Sequence, residues 1–287
     1  MHTLMKEGRL LLVPGVYDAL SARIAERAGF PAVVLSGYAM AASRLGEPDL
    51  GLLTHADVVD SACRVASAVD IAVMVDGDTG FGGPLNVQRL VRDLIRARAR
   101  GVLLEDQTWP KRCGHMRGKS VIEAEEHAAK IHAAVDARGE APFTITARTD
   151  ALETHGVDEA IRRARLYKEA GADVLFVEGP RSRDELRRIG AELPGPLAVN
   201  LIEGGRTPIC SPEELVDMGF FSIGFVLTGL FAAAAALERA YAQLFEHGSS
   251  GSLSGEMMDF ERFNRLIGLE KRLKEDEKYK PAVRPRG

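Results

Sequence analysis

The sequence predicts an eight-stranded α/β barrel, the TIM barrel, and three observations favour it. Eight short aliphatic and β-branched runs recur along the chain, and each is followed by a longer segment with helical spacing. The runs are continuously apolar rather than alternating, which is typical of a parallel sheet covered on both faces. The chain of 287 residues is long enough for eight such repeats. A doubly wound open sheet is the alternative fold, although no glycine-rich dinucleotide or P-loop pattern follows the first run.

The predicted elements follow in order along the chain. The strands span residues 10–14, 32–36, 71–76, 101–106, 143–147, 173–178, 196–200 and 222–226. Amphipathic segments between them span residues 17–28, 57–68, 84–99, 121–138, 157–170 and 182–192. Ser120 and Ser182 stand where two of these helices would be capped.

The chain continues beyond the eighth strand. Residues 231–247, FAAAAALERAYAQLFEH, are strong helix formers and predict a helix. A turn-rich segment, 248–256, and a further helix over about 256–275 follow, so we divide the chain into a barrel over 1–247 and a C-terminal part over 248–287. The last helix packs either against another subunit or against the barrel itself. The terminal KYKPAVRPRG has the composition of a disordered tail.

Composition disfavours several classes of partner. The formal net charge is −4 and the cationic residues are spread along the chain, so we expect no nucleic acid and no anionic membrane, whereas a small anionic substrate is compatible. No apolar run approaches the about 18 residues that span a bilayer, and we recognise no signal peptide. Cys63, Cys113 and Cys210 are too widely spaced for a disulfide framework or a zinc site. We therefore expect a reducing, cytoplasmic setting.

Polar residues stand at the carboxyl ends of six predicted strands, which is where a TIM barrel carries its active site. They are Ser36, Gly37, Tyr38, Asp76, Asp78, Glu105, Arg148, Glu178 and Asn200. Buried charges are costly unless they are paired or bind a metal, so this set predicts a site at the barrel mouth. The other histidines, His55, His127, His132, His155 and His247, are interpreted as surface or helix-face residues.

Asp76 and Asp78, in VDGDTGFGG, predict a site for a hard cation. Two carboxylates at this spacing on a chain that bends through glycines can face one point, and Mg²⁺ prefers oxygen ligands and keeps several waters. A simple turn is the alternative for the Asp-Gly-Asp sequence. Arg148 suits a bidentate grip on a carboxylate or phosphate, and a salt bridge to an acid such as Glu178 is its alternative role.

Cys113 lies in the loop TWPKRCGHMRGK between the fourth strand and the next helix. Lys111 and Arg112 precede the thiol, and Gly114 and His115 follow it. Neighbouring cations favour a thiolate, so we expect a lowered pKa for Cys113. The alternative is an inert thiol in a polar loop.

Five stretches, LEDQTWPKRCGHMRGK, SGYAMAASRLGEPDLGLLT, VDGDTGFGG, ARTDAL and NLIEGGRTP, resemble the isocitrate lyase and phosphoenolpyruvate mutase superfamily. The similarity is closest to its branch of 2,3-dimethylmalate lyase, petal death protein and 2-methylisocitrate lyase, and it runs from about residue 9 to beyond residue 240. The resemblance implies an α/β barrel with a final helix exchanged between subunits. It also implies a homotetramer built from dimers.

The resemblance further implies roles for the polar residues. Asp76 and Asp78, with Glu105 close by, would bind Mg²⁺ or Mn²⁺. Ser36, Gly37, Tyr38 and Arg148 would hold the 2-oxo acid part of a small carboxylate substrate, and we add to this substrate-binding set Asp49, Gly114, Glu178 and Asn200. The Cys113 loop would form a mobile lid in which Cys113 protonates the departing fragment, assisted by Lys111 and His115. Glu105 is our choice for the base.

The substrate is expected to be a 2-alkylmalate-like acid, cleaved by a retro-aldol reaction into a 2-oxo acid, pyruvate, and a short carboxylate. This choice depends on Phe231, which stands where 2-methylisocitrate lyases carry an arginine for a further carboxylate. Val226 and Gly77 also depart from the family pattern. The alternatives are 2-methylisocitrate cleavage, oxaloacetate hydrolysis, phosphonomutase chemistry, or a catalytically dead barrel that serves as a binding protein.

Overall fold

The structure is a computed structural model that describes residues 10–280, and it contains a closed parallel barrel. Each strand pairs with the next in chain order, and the last pairs with the first, with Leu11 opposite Ser222. The strands are β1 (Leu11–Val16), β2 (Ala32–Leu35), β3 (Ala72–Asp76), β4 (Gly101–Glu105), β5 (Thr144–Thr149), β6 (Val174–Val177), β7 (Leu197–Asn200) and β8 (Phe220–Phe225). Every predicted strand overlaps one of these, so the predicted TIM barrel is confirmed.

Helices follow the strands around the barrel. They are α1 (Ala19–Arg27), α2 (Gly37–Met40), α3 (His55–Ala68), α4 (Pro84–Arg96), α5 (Ala124–Arg138), α6 (Ala151–His155), α7 (Val157–Glu169), α8 (Arg183–Glu192), α9 (Pro212–Asp217) and α10 (Thr228–His247). The short helices α2 and α6 begin directly after β2 and β5, and α2 continues as a π-helical turn over Ala41–Leu45. These short pieces turn the chain sharply at the barrel mouth.

The helix starts illustrate what the sequence specifies locally. Ser182 accepts a hydrogen bond from the backbone N–H of Glu185 at 3.1 Å and caps α8, as predicted. Ser120 is not a cap, because α5 begins at Ala124 after Glu123. The carbonyl of Ser120 instead accepts a hydrogen bond from the N–H of Thr108 at 2.9 Å, which closes the neck of the loop between β4 and α5.

The main core lies between the outer surface of the barrel and the surrounding helices. Val33, Val73, Val102 and Ile145 point outward from their strands and are at most 1% exposed. His127 lies on α5, but on the face that packs into this interior, so of its two predicted placements the surface one is wrong. Its ring is fully buried and packs edge-to-face on Tyr167, with 4.6 Å between the centroids. A neutral imidazole in such a contact packs like an apolar ring. No feature of the surrounding sequence indicates that this ring is buried.

The chain divides into two compact units between Phe231 and Ala232, inside α10. The second unit continues from α10 through a 3₁₀ turn, Gly251–Leu253, to helices α11 (Phe260–Ile267) and α12 (Leu269–Glu277). The single helix predicted over about 256–275 is therefore two helices, because Gly268 adopts a φ of 81° and ends the first. Residues 281–287 of the predicted tail lie outside the described residues. Between residues 10 and 280, no helix combines the length and apolarity needed to cross a membrane.

Candidate active site

A small cavity of about 40 Å³ lies at the carboxyl ends of the strands, where the sequence predicts the site. It is lined by Ser36, Tyr38, Asp49, Asp76, Leu103, Cys113, Gly114, His115, Arg148, Glu178, Asn200, Ile202, Val226 and Leu227. Four further predicted residues, Gly37, Asp78, Glu105 and Lys111, each contact one of these lining residues. The structure therefore brings together residues from seven strand ends and from the loop that carries Cys113.

Asp76 and Asp78 converge around Gly37. Asp76 accepts hydrogen bonds from the N–H groups of Gly37 at 3.2 Å and Asp78 at 3.1 Å. A Cβ placed on Gly37 would lie 2.9 Å from Asp76 Oδ2 and 3.3 Å from Asp78 Oδ1, so oxygens of both carboxylates surround one point. Asp78 holds a left-handed φ of 47°, a conformation that is uncommon outside glycine and is often found at functional sites.

Several oxygens in this region suit a hard cation. Asp78 Oδ1 lies 2.6 Å from Lys111 Nζ and Glu105 Oε2 lies 3.3 Å from Arg148 Nη1, whereas Glu105 Oε1 is buried with no hydrogen-bond partner among the described residues. Buried polar atoms are rarely left so, and carboxylate oxygens are the ligands that Mg²⁺ prefers. Within residues 10–280, no three histidine, cysteine or acidic side chains come close enough to form a complete metal cluster. The donor set thus fits an ion held by the aspartate pair, with water and substrate oxygens completing its shell.

Arg148 lines the cavity and pairs with Glu178, the salt bridge that the sequence offered as one of its two roles. Because Glu105 and Arg148 are paired in register on β4 and β5, their side chains meet, with Arg148 Nη1 3.3 Å from Glu105. The same Nη1 lies 3.3 Å from Glu178, and Nε and Nη2 donate to Asp150 at 2.9 and 3.0 Å. Burial lowers the pKa of Arg148, but Asp150, Glu178 and Glu105 outweigh it and hold the pKa well above its ordinary value. A permanent cation is thereby fixed at the cavity wall.

The loop between β4 and α5, here called the thiol loop (residues 107–120), reaches across the barrel mouth. Lys111 is 3% exposed, and its Nζ lies 2.8 Å from a carboxylate oxygen of Asp49 and 2.6 Å from Asp78 Oδ1. The N–H of Cys113 donates to the carbonyl of Asp49 at 3.2 Å. Removing two charges from water is costly, so the loop position depends on this paired geometry.

His115 connects the thiol loop to two further elements. Its Nε2 lies 3.0 Å from Glu178 Oε1, and its Nδ1 accepts a hydrogen bond from the N–H of Arg206 at 3.0 Å. Burial raises the pKa of Glu178, but Arg148 and His115 together lower it further than burial raises it. Glu178 is therefore an anion between two donors, one from the barrel and one from the loop.

The expected lowering of the Cys113 pKa is wrong. Burial raises the pKa of the thiol to about 11, and Asp49 and Glu178 add to the effect, against the opposing backbone N–H of His115 and the charge of Arg148. The two cations next to it in sequence do not face it, because Lys111 pairs with Asp49 and Asp78 while Arg112 donates to the carbonyl of Arg117 at 3.0 Å. Cys113 is therefore a protonated thiol, suited to donating a proton rather than attacking as a nucleophile.

The position of Phe231 differs from the sequence-based assignment. Phe231 does not line the cavity but packs edge-to-face against Tyr38, with 6.5 Å between the ring centroids. The apolar side chains that do line it are Leu103, Ile202, Val226 and Leu227. Phe231 can therefore act on the cavity through Tyr38, whereas Val226 and Leu227 provide the wall that follows β8.

Three buried charged residues near the site were missed by sequence reasoning. Asp150 and Lys119 form a pair at 2.8 Å, and Asp106 accepts hydrogen bonds from the hydroxyl groups of Thr149 at 2.7 Å and Tyr167 at 2.8 Å. Each lies one to four residues from a predicted site residue, and each is at most 8% exposed. Asp106 directly follows Glu105 in the sequence, which was the one available signal, whereas Lys119 and Asp150 have no charged neighbour in sequence.

The chain is similar to proteins of a known family. A model of the family described as phosphoenolpyruvate phosphomutase matches residues 1–245. The petal death protein of Dianthus caryophyllus is 52% identical and is aligned over 98% of this chain and 88% of its own length. A chloroplastic carboxyvinyl-carboxyphosphonate phosphorylmutase of Arabidopsis thaliana is 51% identical over 94% and 80% of the two chains. The 2,3-dimethylmalate lyase of Eubacterium barkeri is 41% identical over 94% of each.

Solved structures agree with the sequence comparison. A crystal structure of 2,3-dimethylmalate lyase superposes with a TM-score of 0.92 at 38% identity and covers 100% of this chain and 96% of that one. An oxaloacetate acetylhydrolase bound to 3,3-difluorooxaloacetate also has a TM-score of 0.92 at 38% identity, over 96% and 94% of the chains. The chain belongs to the phosphoenolpyruvate phosphomutase family, within the superfamily of isocitrate lyase and phosphoenolpyruvate mutase.

Proposed function

We propose that this carbon–carbon lyase cleaves a 2-alkylmalate-like 2-hydroxy dicarboxylate, of the 2,3-dimethylmalate type, into pyruvate and a short carboxylate. The observation that carries the proposal is the position of Cys113. A protonated thiol lines the same cavity as Arg148, Asp76 and the apolar wall after β8. A retro-aldol cleavage needs a proton donor, a group that binds the substrate's carboxylate, and carboxylates that hold a cation.

The cavity wall supports a dicarboxylate over a tricarboxylate. Of the described residues that line it, Arg148 is the one permanent cation, and Val226 and Leu227 follow β8. A third substrate carboxylate beside these apolar side chains would be buried without a partner, which is costly. The wall suits an alkyl substituent instead, in line with the expectation from the sequence, although Val226 and Leu227 provide it rather than Phe231.

The chain's own residues supply binding and proton transfer. Arg148, at the end of β5, and Ser36, Gly37 and Tyr38, after β2, hold the 2-oxo acid part of the substrate. A Mg²⁺ or Mn²⁺ held by Asp76 and Asp78 would polarise the substrate's hydroxyl oxygen. When the hydroxyl loses its proton and the C2–C3 bond breaks, the electron pair of that bond passes to the carbon next to the departing carboxylate, and Cys113 gives its proton to this carbon.

Glu105 is our choice for the base that removes the hydroxyl proton. Burial raises its pKa well above the ordinary value, although Arg148 and Lys111 oppose the rise. Its Oε1 has no hydrogen-bond partner among the described residues, which leaves this oxygen available to the substrate or to a water molecule, while Oε2 faces Arg148 at 3.3 Å.

The substrate enters only when the thiol loop moves. The cavity of about 40 Å³ holds roughly three water molecules, since each needs about 10–15 Å³ of this volume. A dimethylmalate carries 11 heavy atoms in its formula and does not fit. We infer that the thiol loop opens to admit substrate and closes over it, which excludes water from the carbanion before protonation.

We further propose a cytoplasmic homotetramer. Phe245 and Phe260, in the C-terminal unit, are 92% and 82% exposed, and large apolar side chains of this kind commonly contact another subunit. Sedimentation of the purified protein measures its mass directly. A monomer at micromolar concentration would contradict the assembly without affecting the proposed reaction.

A panel of 2-hydroxy di- and tricarboxylates, assayed with Mg²⁺ for pyruvate release, tests the function. We expect the highest kcat/KM for a 2-alkylmalate. A strong preference for 2-methylisocitrate would overturn the dicarboxylate assignment, and oxalate and acetate from oxaloacetate, identified by NMR, would replace it with a hydrolase. Absence of turnover on every substrate, including phosphonopyruvate, would favour a binding protein.

A further inference from the structure

Lys119 lies at the C-terminal end of the thiol loop and is buried in a polar setting. Its side chain is 1% exposed, and its Nζ lies 2.6 Å from the carbonyl of Gly114, 2.8 Å from Asp150 and 3.3 Å from Glu153. An ammonium has three donors, so these three acceptors use its full capacity. Lys119 thus joins the middle of the thiol loop to acids that lie outside the loop.

Asp150 is a fixed anchor for this contact. Its carboxylate accepts two hydrogen bonds from Arg148, and its N–H donates to Asp106 at 2.8 Å. Asp106 is in turn held by Thr149, Tyr167 and an ion pair with Arg163 at 3.1 Å. Burial disfavours the charge on Asp150, but Arg148 and Lys119 lower its pKa further than burial raises it. The anchor is therefore an anion tied to the barrel at several atoms.

At Gly114 the backbone of the thiol loop packs directly against the barrel. A Cβ at this position would lie 2.4 Å from Arg148 Nη2 and 2.5 Å from Glu178 Cδ. The backbone between Cys113 and His115 therefore rests directly on the anion-binding arginine. The carbonyl of this same residue is the one that Lys119 holds.

We propose that Lys119 is a positioning residue that latches the thiol loop in its closed position and so sets Cys113 and His115 over Arg148. The rival explanation assigns the loop position to its other contacts, which are the pairs of Lys111 with Asp49 and Asp78, the pair of His115 with Glu178, and the neck of the loop. That neck is the bridge between Gln107 and Val121 and the hydrogen bond from Thr108 to Ser120. The effect of the latch on turnover rests on the proposed function. Its effect on the opening of the thiol loop does not depend on that function.

Alkylation of Cys113 by iodoacetamide, without metal or substrate, measures loop opening. A Cys63→Ser background removes the exposed thiol, and Cys210 is 4% exposed. In this background Lys119→Met should speed alkylation of Cys113 by about tenfold to a hundredfold, the factor that corresponds to a hydrogen bond with a charged group. Arg117→Met, which removes an exposed cation from the same loop, should leave the rate unchanged.

Gly114→Ala calibrates the assay, because its Cβ clash with Arg148 and Glu178 must displace the loop. Faster alkylation in this variant together with an unchanged rate in folded Lys119→Met would overturn the latch in favour of the other contacts of the loop. Circular dichroism checks folding. If the Met variant does not fold, Lys119→Gln, which keeps an uncharged donor, takes its place. An alkylation rate between those of Arg117→Met and Gly114→Ala supports the latch. A rate equal to that of Arg117→Met contradicts it.

A readout with substrate then separates positioning from folding. Lys119→Met should lower kcat by a larger factor than Arg117→Met does, because Cys113 is then misplaced. Lys119→Gln should recover part of this loss in kcat. If alkylation responds as expected but no substrate of the panel turns over, the latch stands and the proposed function fails. The two inferences can therefore be judged separately.

Discussion

Lys111 Nζ lies 2.6 Å from Asp78 Oδ1, and the two side chains are 2% and 1% exposed. Lys111 belongs to the thiol loop, whereas Asp78 belongs to the turn after β3 that carries the predicted metal ligands. Burial, Asp76 and Asp49 raise the pKa of Asp78 to about 7 against the opposing charge of Lys111. The charge of the metal site and the position of the thiol loop are therefore linked through one ion pair.

Replacing Lys111 by Met should tighten metal binding while slowing turnover. The buried ammonium repels a divalent cation at Asp78, and two unit charges about 4 Å apart interact by about 4 kcal/mol at an effective dielectric of 20. We expect the Kd for Mn²⁺ to fall by at least about tenfold, measured by paramagnetic resonance titration. Lys111→Arg keeps the charge and serves as the control. An unchanged Kd in the Met variant would show that the ammonium and the ion do not share this site.

Cys113→Ser should lower kcat by about a hundredfold or more, the range found when a positioned acid is removed, while the fold and the Kd for Mn²⁺ stay the same. A serine hydroxyl is a far weaker acid than a thiol and does not replace it. Cys63→Ser, at an exposed position of α3, is the matched control and should retain full activity. Equal turnover in both variants would remove Cys113 from the mechanism.

The raised pKa of Cys113 has its own consequence. Because burial raises the pKa of this thiol to about 11, it stays protonated at neutral and moderately alkaline pH. In the Cys63→Ser background, the alkylation rate should rise about tenfold per pH unit towards pH 11, where an ordinary thiol levels off near its pKa of about 8.5. A plateau below pH 9, with the protein still folded, would contradict the burial of the thiol.

Metal removal should abolish activity, with recovery on adding Mg²⁺ or Mn²⁺. Asp76→Asn should weaken Mn²⁺ binding by at least about tenfold, because it removes one of two carboxylates that surround the same point. Asp184→Asn, at an exposed side chain of α8, removes the same charge and should have no effect. Turnover that persists in a chelator would rule out the role of the aspartate pair.

The sequence predicted the strands because each is a continuous apolar run, and the polar residues at their ends followed from the fold rule for barrels. Asp76, Arg148 and Glu178 could be found in this way, since each directly follows an apolar run. The strand register then brings such residues together without further information. Glu105 and Arg148 meet because their strands pair in register.

Contacts made by loops could not be predicted in the same way. The direction in which Lys111 and Arg112 point depends on how the thiol loop folds over the barrel, and neighbours in sequence turn out to have different partners. The prediction of a thiolate at Cys113 was wrong for this reason. Lys119 and Asp150 pair across 31 positions, and no local pattern marks a pair at such a separation.

The buried ring of His127 predicts a loss of stability in acid. Burial, and then the charge of Lys130, lower its pKa to about 3, so the folded protein holds a neutral imidazole while the unfolded chain binds a proton near pH 6.5. The contribution of His127 to stability is therefore complete above pH 6.5 and is lost as the pH falls towards 3, by up to about 1.4 kcal/mol per pH unit.

His127→Phe keeps a ring against Tyr167 but cannot ionise. Urea unfolding at pH 7.5 and pH 5 should show the stability of the wild type falling by about 2 kcal/mol more than that of the variant. Parallel losses in the two proteins would mean that His127 is charged, or exposed, in the folded state.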